Sequence, residues 1–248
     1  MNKTALITGA SSGIGKALAL EMAKRGYNLA LTARREDKLN ELKQQIHEAN
    51  PALRVETARL DVNDTASVDP VLSQLMGSFT KVDIVVVNAG INSLTKVGKD
   101  ELEAELGIIQ TNINGAIATV HAATKYFRAQ GGGHVVGISS LASLNPIPKQ
   151  AAYCATKAAF TMYMECAAIE LARHNIVFTQ ILPGFVKTEI VDNMEQFPFL
   201  VSAEQAAREM ANHIEHKKAV GVVPGYPWRF IKPFMGKMPR GIWKMLKV

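Results

Sequence analysis

The sequence predicts an α/β protein: one doubly wound domain, with a seven-stranded parallel sheet and helices on both faces. Three observations carry this. Short apolar runs alternate with longer helix-like runs along most of the 248 residues. Such alternation calls for parallel strands joined by right-handed crossovers. Distinctive polar residues and glycines recur where the apolar runs stop, at Gly9, Arg34, Asp61 and Asn88. In open parallel sheets, ligands collect beyond the carboxyl ends of the strands. The 48% hydrophobic content is ample for one core, and no repeat, low-complexity stretch or linker divides the chain.

Taken in order, Lys3 to Thr8 reads as a short buried strand. The turn Thr8-Gly9-Ala10-Ser11-Ser12-Gly13-Ile14-Gly15 follows, then a helix from Lys16 to Arg25 with Leu18, Ala19 and Met22 on one side. Strand, glycine turn and helix together suit a pyrophosphate: glycines let the backbone come close, and the helix start offers free N–H groups. As a bare pattern, G-x-x-x-G-x-G also fits an ordinary turn. Tyr27 to Ala33 is a second strand, with Arg34-Arg35 at its end. An acid there would hold the ribose 2′-hydroxyl of NAD, and an arginine suits the 2′-phosphate of NADP. The other reading is a solvated loop before the next helix, Glu36 to Asn50.

Arg54 to Leu60 is a strand ending in Asp61-Val62. A helix runs from Thr65 to Phe79. Val82 to Val87 is so apolar that it reads as central and covered on both faces; Asn88-Ala89-Gly90 closes it. A helical stretch from Lys99 to Arg128 carries Asn112 and Asn114 on an otherwise apolar face. After Gly131-Gly132-Gly133, His134 to Ser139 is the fifth strand, closed by Ser139-Ser140. Asn175 to Leu182 is the sixth, stopped by Pro183-Gly184. Phe185 to Val201 reads either as a substrate lid or as a partly buried surface loop. Ser202 begins a helix to His216, with Gln205 completing a capping box. Ala219 to Val223 is the seventh strand.

Between strands five and six lies Ala151 to Leu171, free of Pro and Gly and rich in helix formers. It carries Tyr153 and Lys157, four apart and so on one helix face. An ammonium beside a phenol favours the phenolate, and the expectation is that the Tyr153 pKa falls from about 10 toward neutrality. That would make Tyr153 a proton donor or acceptor. Ser140, thirteen residues earlier at a strand end, can meet it.

Charge excludes some functions. The net charge is +6, yet Lys217 to the end holds eight basic residues and no acid, leaving the body near −2. This argues against a nucleic-acid-binding domain. The histidines are scattered without ligand spacing, and no metal is expected. Cys154 and Cys166 lie about 18 Å apart along one helix and cannot pair. No opening signal segment or membrane span is read, which points to a cytoplasmic setting.

On these residues the chain resembles the short-chain dehydrogenases/reductases, over about residues 3 to 225. The matching motifs are Thr8-Gly9-x-x-x-Gly13-x-Gly15, Asp61-Val62, Asn88-Ala89-Gly90, Asn112-x-x-Gly115, Ser140, Tyr153-x-x-x-Lys157 and Pro183-Gly184 with Val186 and Thr188. The resemblance implies a Rossmann-type fold and an oxidoreductase moving a hydride between NADP(H) and a carbonyl or secondary alcohol. Tyr153 would be the acid/base. Lys157 would lower its pKa and hold the nicotinamide ribose, Ser140 would hold the carbonyl oxygen, and Asn112 would anchor a water relay. Gly9, Ser11, Ser12, Gly13, Ile14 and Gly15 would cradle the pyrophosphate. Asp61 and Val62 would contact adenine; Asn88, with Ala89 and Gly90, the adenosine side; Val186 and Thr188, after Pro183 and Gly184, the nicotinamide amide. Arg34 favours NADP(H), while Ser12 stands where many NADP-preferring members have a base, so NAD(H) stays open. The family also implies a homodimer or homotetramer, to which Ala158, Ala159, Met162 and Met164 would contribute.

Residues 226–248 form a basic, aromatic-rich extension to the 1–225 domain. Trp228, Phe230, Phe234 and Trp243 interleave with six basic residues, and Pro227, Pro233 and Pro239 interrupt any helix. Two readings stand: contact with an anionic membrane interface, or packing on protein, back over the substrate pocket or in an oligomer contact. Leu141, Leu144, Ile147, Phe185, Met194 and Phe197 suggest an apolar pocket. The competing functions are a non-catalytic NADP-binding sensor or scaffold, and a peripheral membrane protein whose tail is its main business.

Overall fold

The computed structural model describes residues 2–188 and 198–236. Seven parallel strands form its sheet: β1 (Thr4–Thr8), β2 (Asn28–Ala33), β3 (Val55–Arg59), β4 (Ile84–Val87), β5 (Gly133–Ile138), β6 (Ile176–Pro183) and, last in the chain, β9 (Val220–Val223). The two-residue strands β7 (Val186–Lys187) and β8 (Val201–Ser202) pair only with each other. The sheet order is β3-β2-β1-β4-β5-β6-β9. The chain winds one way to β3, returns to β4 beside β1, and winds the other way. The reversal leaves a crevice past the ends of β1 and β4, where doubly wound sheets bind ligands.

The helices are α1 (Gly13–Lys24), α2 (Glu36–Ala49), α3 (Thr65–Gly77), α4 (Leu102–Ile109), α5 (Ala116–Gln130), α6 (Ala151–Leu171), α7 (Ala203–Glu215) and the short α8 (Trp228–Ile231). Strand side chains alternate between faces, and two cores result. Ala5, Ile7, Ile84 and Val86 pack with Leu18 and Met22 of α1 and Met210 of α7. Leu6, Val85 and Val87 pack on the other face with Met76, Phe127, Phe160 and Met164. That burial corrects one expectation: Met164, proposed for a partner contact, is a core residue, whereas Met162 is 65% exposed.

The long helix expected from Lys99 to Arg128 is also corrected. It begins at Leu102 and passes through a π-helical turn, Gln110–Gly115, between α4 and α5. Such a turn inserts an extra residue and re-aims side chains, often at functional sites. Here it turns Asn112 inward, and its Oδ1 accepts from Ile91 N at 2.8 Å while its Nδ2 donates to Ile91 O at 2.9 Å. Among the described residues, no helix is long and apolar enough to cross a membrane. Much of the segment read as a lid, with Met194 and Phe197, and the chain after Gly236 lie outside the described residues.

Candidate active site

A cavity of about 960 Å³ runs along the carboxyl ends of the strands. At one end lies the glycine turn. Gly9 has φ +67, the left-handed region that a Cβ disfavours. A Cβ on Gly15 would come within 2.3 Å of Gly9 O and 2.5 Å of Asn88 Nδ2. Ser12, the N-cap of α1, makes no side-chain cap bond. The helix start thus keeps backbone donors for something else. Asn88 holds this turn: its Nδ2 donates to Thr8 O at 2.8 Å and Gly9 O at 3.2 Å. Thr8 Oγ1 in turn accepts from the N–H groups of Asn88 and Ala89.

The end of β2 brings Arg34 and Arg35 to the same cavity. Arg35 Nε and Nη2 donate to Ser11 Oγ at 3.4 and 3.2 Å. The Arg34-Arg35 doublet was read from the sequence, while the family resemblance singled out Arg34 alone. Asp61 and Val62 line the cavity beyond. Gly115 packs so tightly there that a Cβ would meet Val62 Cγ2 at 2.7 Å.

Ser140, Tyr153 and Lys157 meet in the middle. Ser140 ends the β5 strand in extended backbone, and its Oγ accepts from Ala142 N at 3.0 Å. Ser140 stands close enough to Tyr153 to act on its pKa, and its hydroxyl donates to Pro183 O at 3.4 Å. Lys157 Nζ lies 5.7 Å from the Tyr153 ring centre and donates to Ile138 O at 3.0 Å. Both residues come from the first two turns of α6, so the helix sets their spacing and β5 supplies their partners. The charge expectation is corrected here. Burial pushes the Tyr153 pKa up, with nearby Ser140 opposing it. Burial also lowers Lys157 to about 8. Removal from water is the largest cause of both shifts.

Of the residues read from the sequence, Gly9, Ser11, Ser12, Ile14, Gly15, Arg34, Asp61, Val62, Asn88, Ala89, Gly90, Ser140, Tyr153, Lys157, Pro183, Gly184, Val186 and Thr188 all line this one cavity. Gly13 and Asn112 stand behind its wall. Asn112 is 2% exposed, and its Oδ1 lies 3.2 Å from where a Gly90 Cβ would be. The rest of the lining is largely apolar, with the indole Nε1 of Trp228 buried and unpartnered, and brings in residues no motif marked: Ile91, Pro198 and, from the C-terminal segment, Trp228, Ile231 and Met235.

A glycine cradle, an uncapped helix start and two guanidinium groups fit the phosphates of a dinucleotide. An apolar chamber with a phenol, a hydroxyl and an ammonium fits a carbonyl or alcohol. Residues 3–198 match the short chain dehydrogenase family. An uncharacterised oxidoreductase of Mycobacterium tuberculosis is 34% identical over 235 residues, covering 94% of this chain and 93% of that one. A short-chain type dehydrogenase/reductase from Mycobacterium marinum superposes with TM-score 0.81 at 31% identity, over 91% of this chain and 95% of that chain. An alcohol dehydrogenase from Thermococcus sibiricus, complexed with 5-hydroxy-NADP, gives TM-score 0.81 at 28% identity, over 90% and 95%.

Proposed function

The chain belongs to the short-chain dehydrogenase family, an oxidoreductase family that binds a nicotinamide cofactor, and from that premise we propose that it interconverts an apolar ketone or aldehyde and its alcohol with NADP(H). The cofactor, when bound, supplies or accepts the hydride. In reduction, Tyr153 gives its proton to the substrate oxygen; in oxidation it takes that proton back. Ser140 holds the oxygen and orients the phenol. Lys157 stands behind Tyr153 as a cation and holds the nicotinamide ribose, and Asn112 braces the loop at Ile91 and anchors the proton path. Ser11, Ile14 and Gly15 take the pyrophosphate, Asp61 and Val62 the adenine, and Val186 and Thr188 the amide. Arg34 and Arg35 supply the charge that favours the 2′-phosphate.

The observation that carries this reading is the convergence of Ser140, Tyr153 and Lys157 in one cavity with the glycine turn and a largely apolar lining. The test is NADPH consumption across ketones of increasing apolar size, with NADH in parallel. Tyr153→Phe should lose about 10²–10⁴-fold in kcat, the scale of a lost acid/base group, while NADPH affinity stays within a few fold. Preference for NADH would remove the role given to the arginines. Undiminished turnover in Tyr153→Phe would remove the mechanism.

Two further proposals concern partners. Exposed Met162 and Ile169 on α6, beside Leu102 and Leu106 on α4, support a homodimer or homotetramer. Tyr226, Phe230 and Phe234 are exposed beside Arg229 and Lys232, and support peripheral contact with an anionic membrane surface. The free thiols of Cys154 and Cys166 fit a reducing compartment such as the cytoplasm.

A further inference from the structure

Part of the cavity's apolar lining comes from residues beyond the 3–198 stretch that matches the family. Trp228, Ile231 and Met235, three and seven residues apart, share one face of the C-terminal segment, and all three line the cavity. The segment is pinned at both ends. Trp228 lies edge-on to Phe185, with ring centres 6.0 Å apart, and to Phe199, 5.7 Å apart. It sits over Gly184, where a Cβ would fall 2.9 Å from the indole Nε1 and 3.3 Å from Leu141 Cδ1. Only a glycine at 184 leaves room for the ring. At the other end, Gly236 N donates to Asn145 Oδ1 at 2.8 Å, and Asn145 is 5% exposed. Trp228 and Met235 also pack against the small core of Leu141, Leu182 and Val222. The segment is therefore part of the chamber and not a loose tail.

Ser140 and Tyr153 hold the reacting oxygen on one side of this chamber. A substrate that fills it must extend from them toward the tail, across a surface with no charged group on Trp228, Ile231 or Met235. The geometry points to an elongated substrate whose reacting carbonyl sits at Ser140 and Tyr153 and whose apolar far end is gripped by Trp228, Ile231 and Met235, so that the C-terminal segment measures substrate length. This rests on the reductase reading above and adds to it the substrate shape and the residues that select it. Each methylene buried in such a chamber is worth roughly tenfold in kcat/KM, so selectivity should climb steeply with chain length until the wall is reached.

The experiment uses the full chain and a series of 2-alkanones from 2-butanone to 2-undecanone. The first readout is the ratio of kcat/KM for 2-undecanone to that for 2-butanone. It should be large in the wild type and fall at least tenfold in Trp228→Ala and in Met235→Ala, with Trp228→Phe intermediate. NADPH affinity, measured in each variant, shows that the fold is kept. The second readout needs no turnover. The chain has two tryptophans, and in a Trp243→Phe background Trp228 alone emits. Its fluorescence should change saturably with 2-undecanone and hardly with 2-butanone, in Tyr153→Phe as well. Turnover that rises with length equally in wild type and variants, with a silent Trp228, overturns the tail wall and leaves the reductase standing. A saturable Trp228 response without turnover supports the wall and overturns the reductase. Neither response nor turnover overturns both.

Discussion

Lys157 shows what one residue's neighbours can and cannot reveal. The four-residue spacing to Tyr153 was legible, because a helix face follows from sequence alone. The direction of the phenol's shift was not, because burial depends on residues remote in sequence: Lys157 is 7% exposed, and its ammonium finds Ile138 O. The contact of Arg35 with Ser11 was not legible for a similar reason, since it joins residues 24 apart. The lysine's pKa of about 8, set by burial, has a consequence for cofactor binding. The charged form is the one that donates to a ribose, so binding favours it. NADPH affinity should hold below pH 8 and weaken above it, by up to about tenfold per unit. Fluorescence titration of NADPH between pH 6.5 and 10 checks this, and Lys157→Met should bind more weakly with that dependence gone. A wild-type profile flat to pH 10 would remove Lys157 from the cofactor's ribose.

The elements were legible where periodicity and punctuation agree. α6 matches its expected bounds, Ala151 to Leu171, because no Pro or Gly interrupts it. The single helix drawn over α4 and α5 hid a π turn, whose one signal was the pair of asparagines on an apolar face. A π turn arises from the tertiary contact it makes, here Asn112 with Ile91, and helix propensity does not register that. The β5 strand carries a test at the same scale. His134 is 3% exposed in it, with Nε2 at 2.8 Å from Thr179 Oγ1 on β6. Burial, aided by the charge of Lys217, lowers its pKa from 6.5 to about 4. A histidine with a lowered folded pKa stabilises the neutral form. That stability is complete above pH 6.5, where the unfolded chain is also neutral, and is lost as pH falls to 4. The loss is about 1.4 kcal/mol per unit, or about 3 kcal/mol in all. Urea unfolding of wild type and His134→Gln at pH 7 and pH 4.5 should show the variant losing less on acidification. Equal losses would refute the assignment.

At the scale of the whole molecule, the parallel, doubly wound sheet and the cavity at its carboxyl edge were legible because they follow from alternation and from where motifs fall; the order of the strands was not read. The C-terminal segment was not, because no period or motif says which surface an aromatic and basic stretch will meet. Of the rival readings, packing over the pocket describes the inner face of the segment, and we propose membrane contact for its outer face. Trp228, Ile231 and Met235 turn toward the cavity. Tyr226, Phe230 and Phe234 turn away, exposed by 76%, 56% and 67%. On that outer side Arg229 lies 4.6 Å over the Phe230 ring, so cation and aromatic already share one surface. An anionic interface would take the rings into its headgroup layer and the cations against its phosphates, at about 1 kcal/mol for each basic residue. The chamber's far wall would then lie next to the phase in which elongated apolar carbonyls dissolve. The full chain should sediment with vesicles containing phosphatidylserine and much less with phosphatidylcholine alone, and salt should weaken the association. Arg229→Gln with Lys232→Gln removes two charges, worth about 2 kcal/mol, and should weaken partitioning about thirtyfold. NADPH affinity in that variant should stay at the wild-type value, since neither residue lines the cavity. Equal recovery with both lipids, or none with either, would leave the outer face of the segment without a membrane role while its inner face kept the one argued from the chamber.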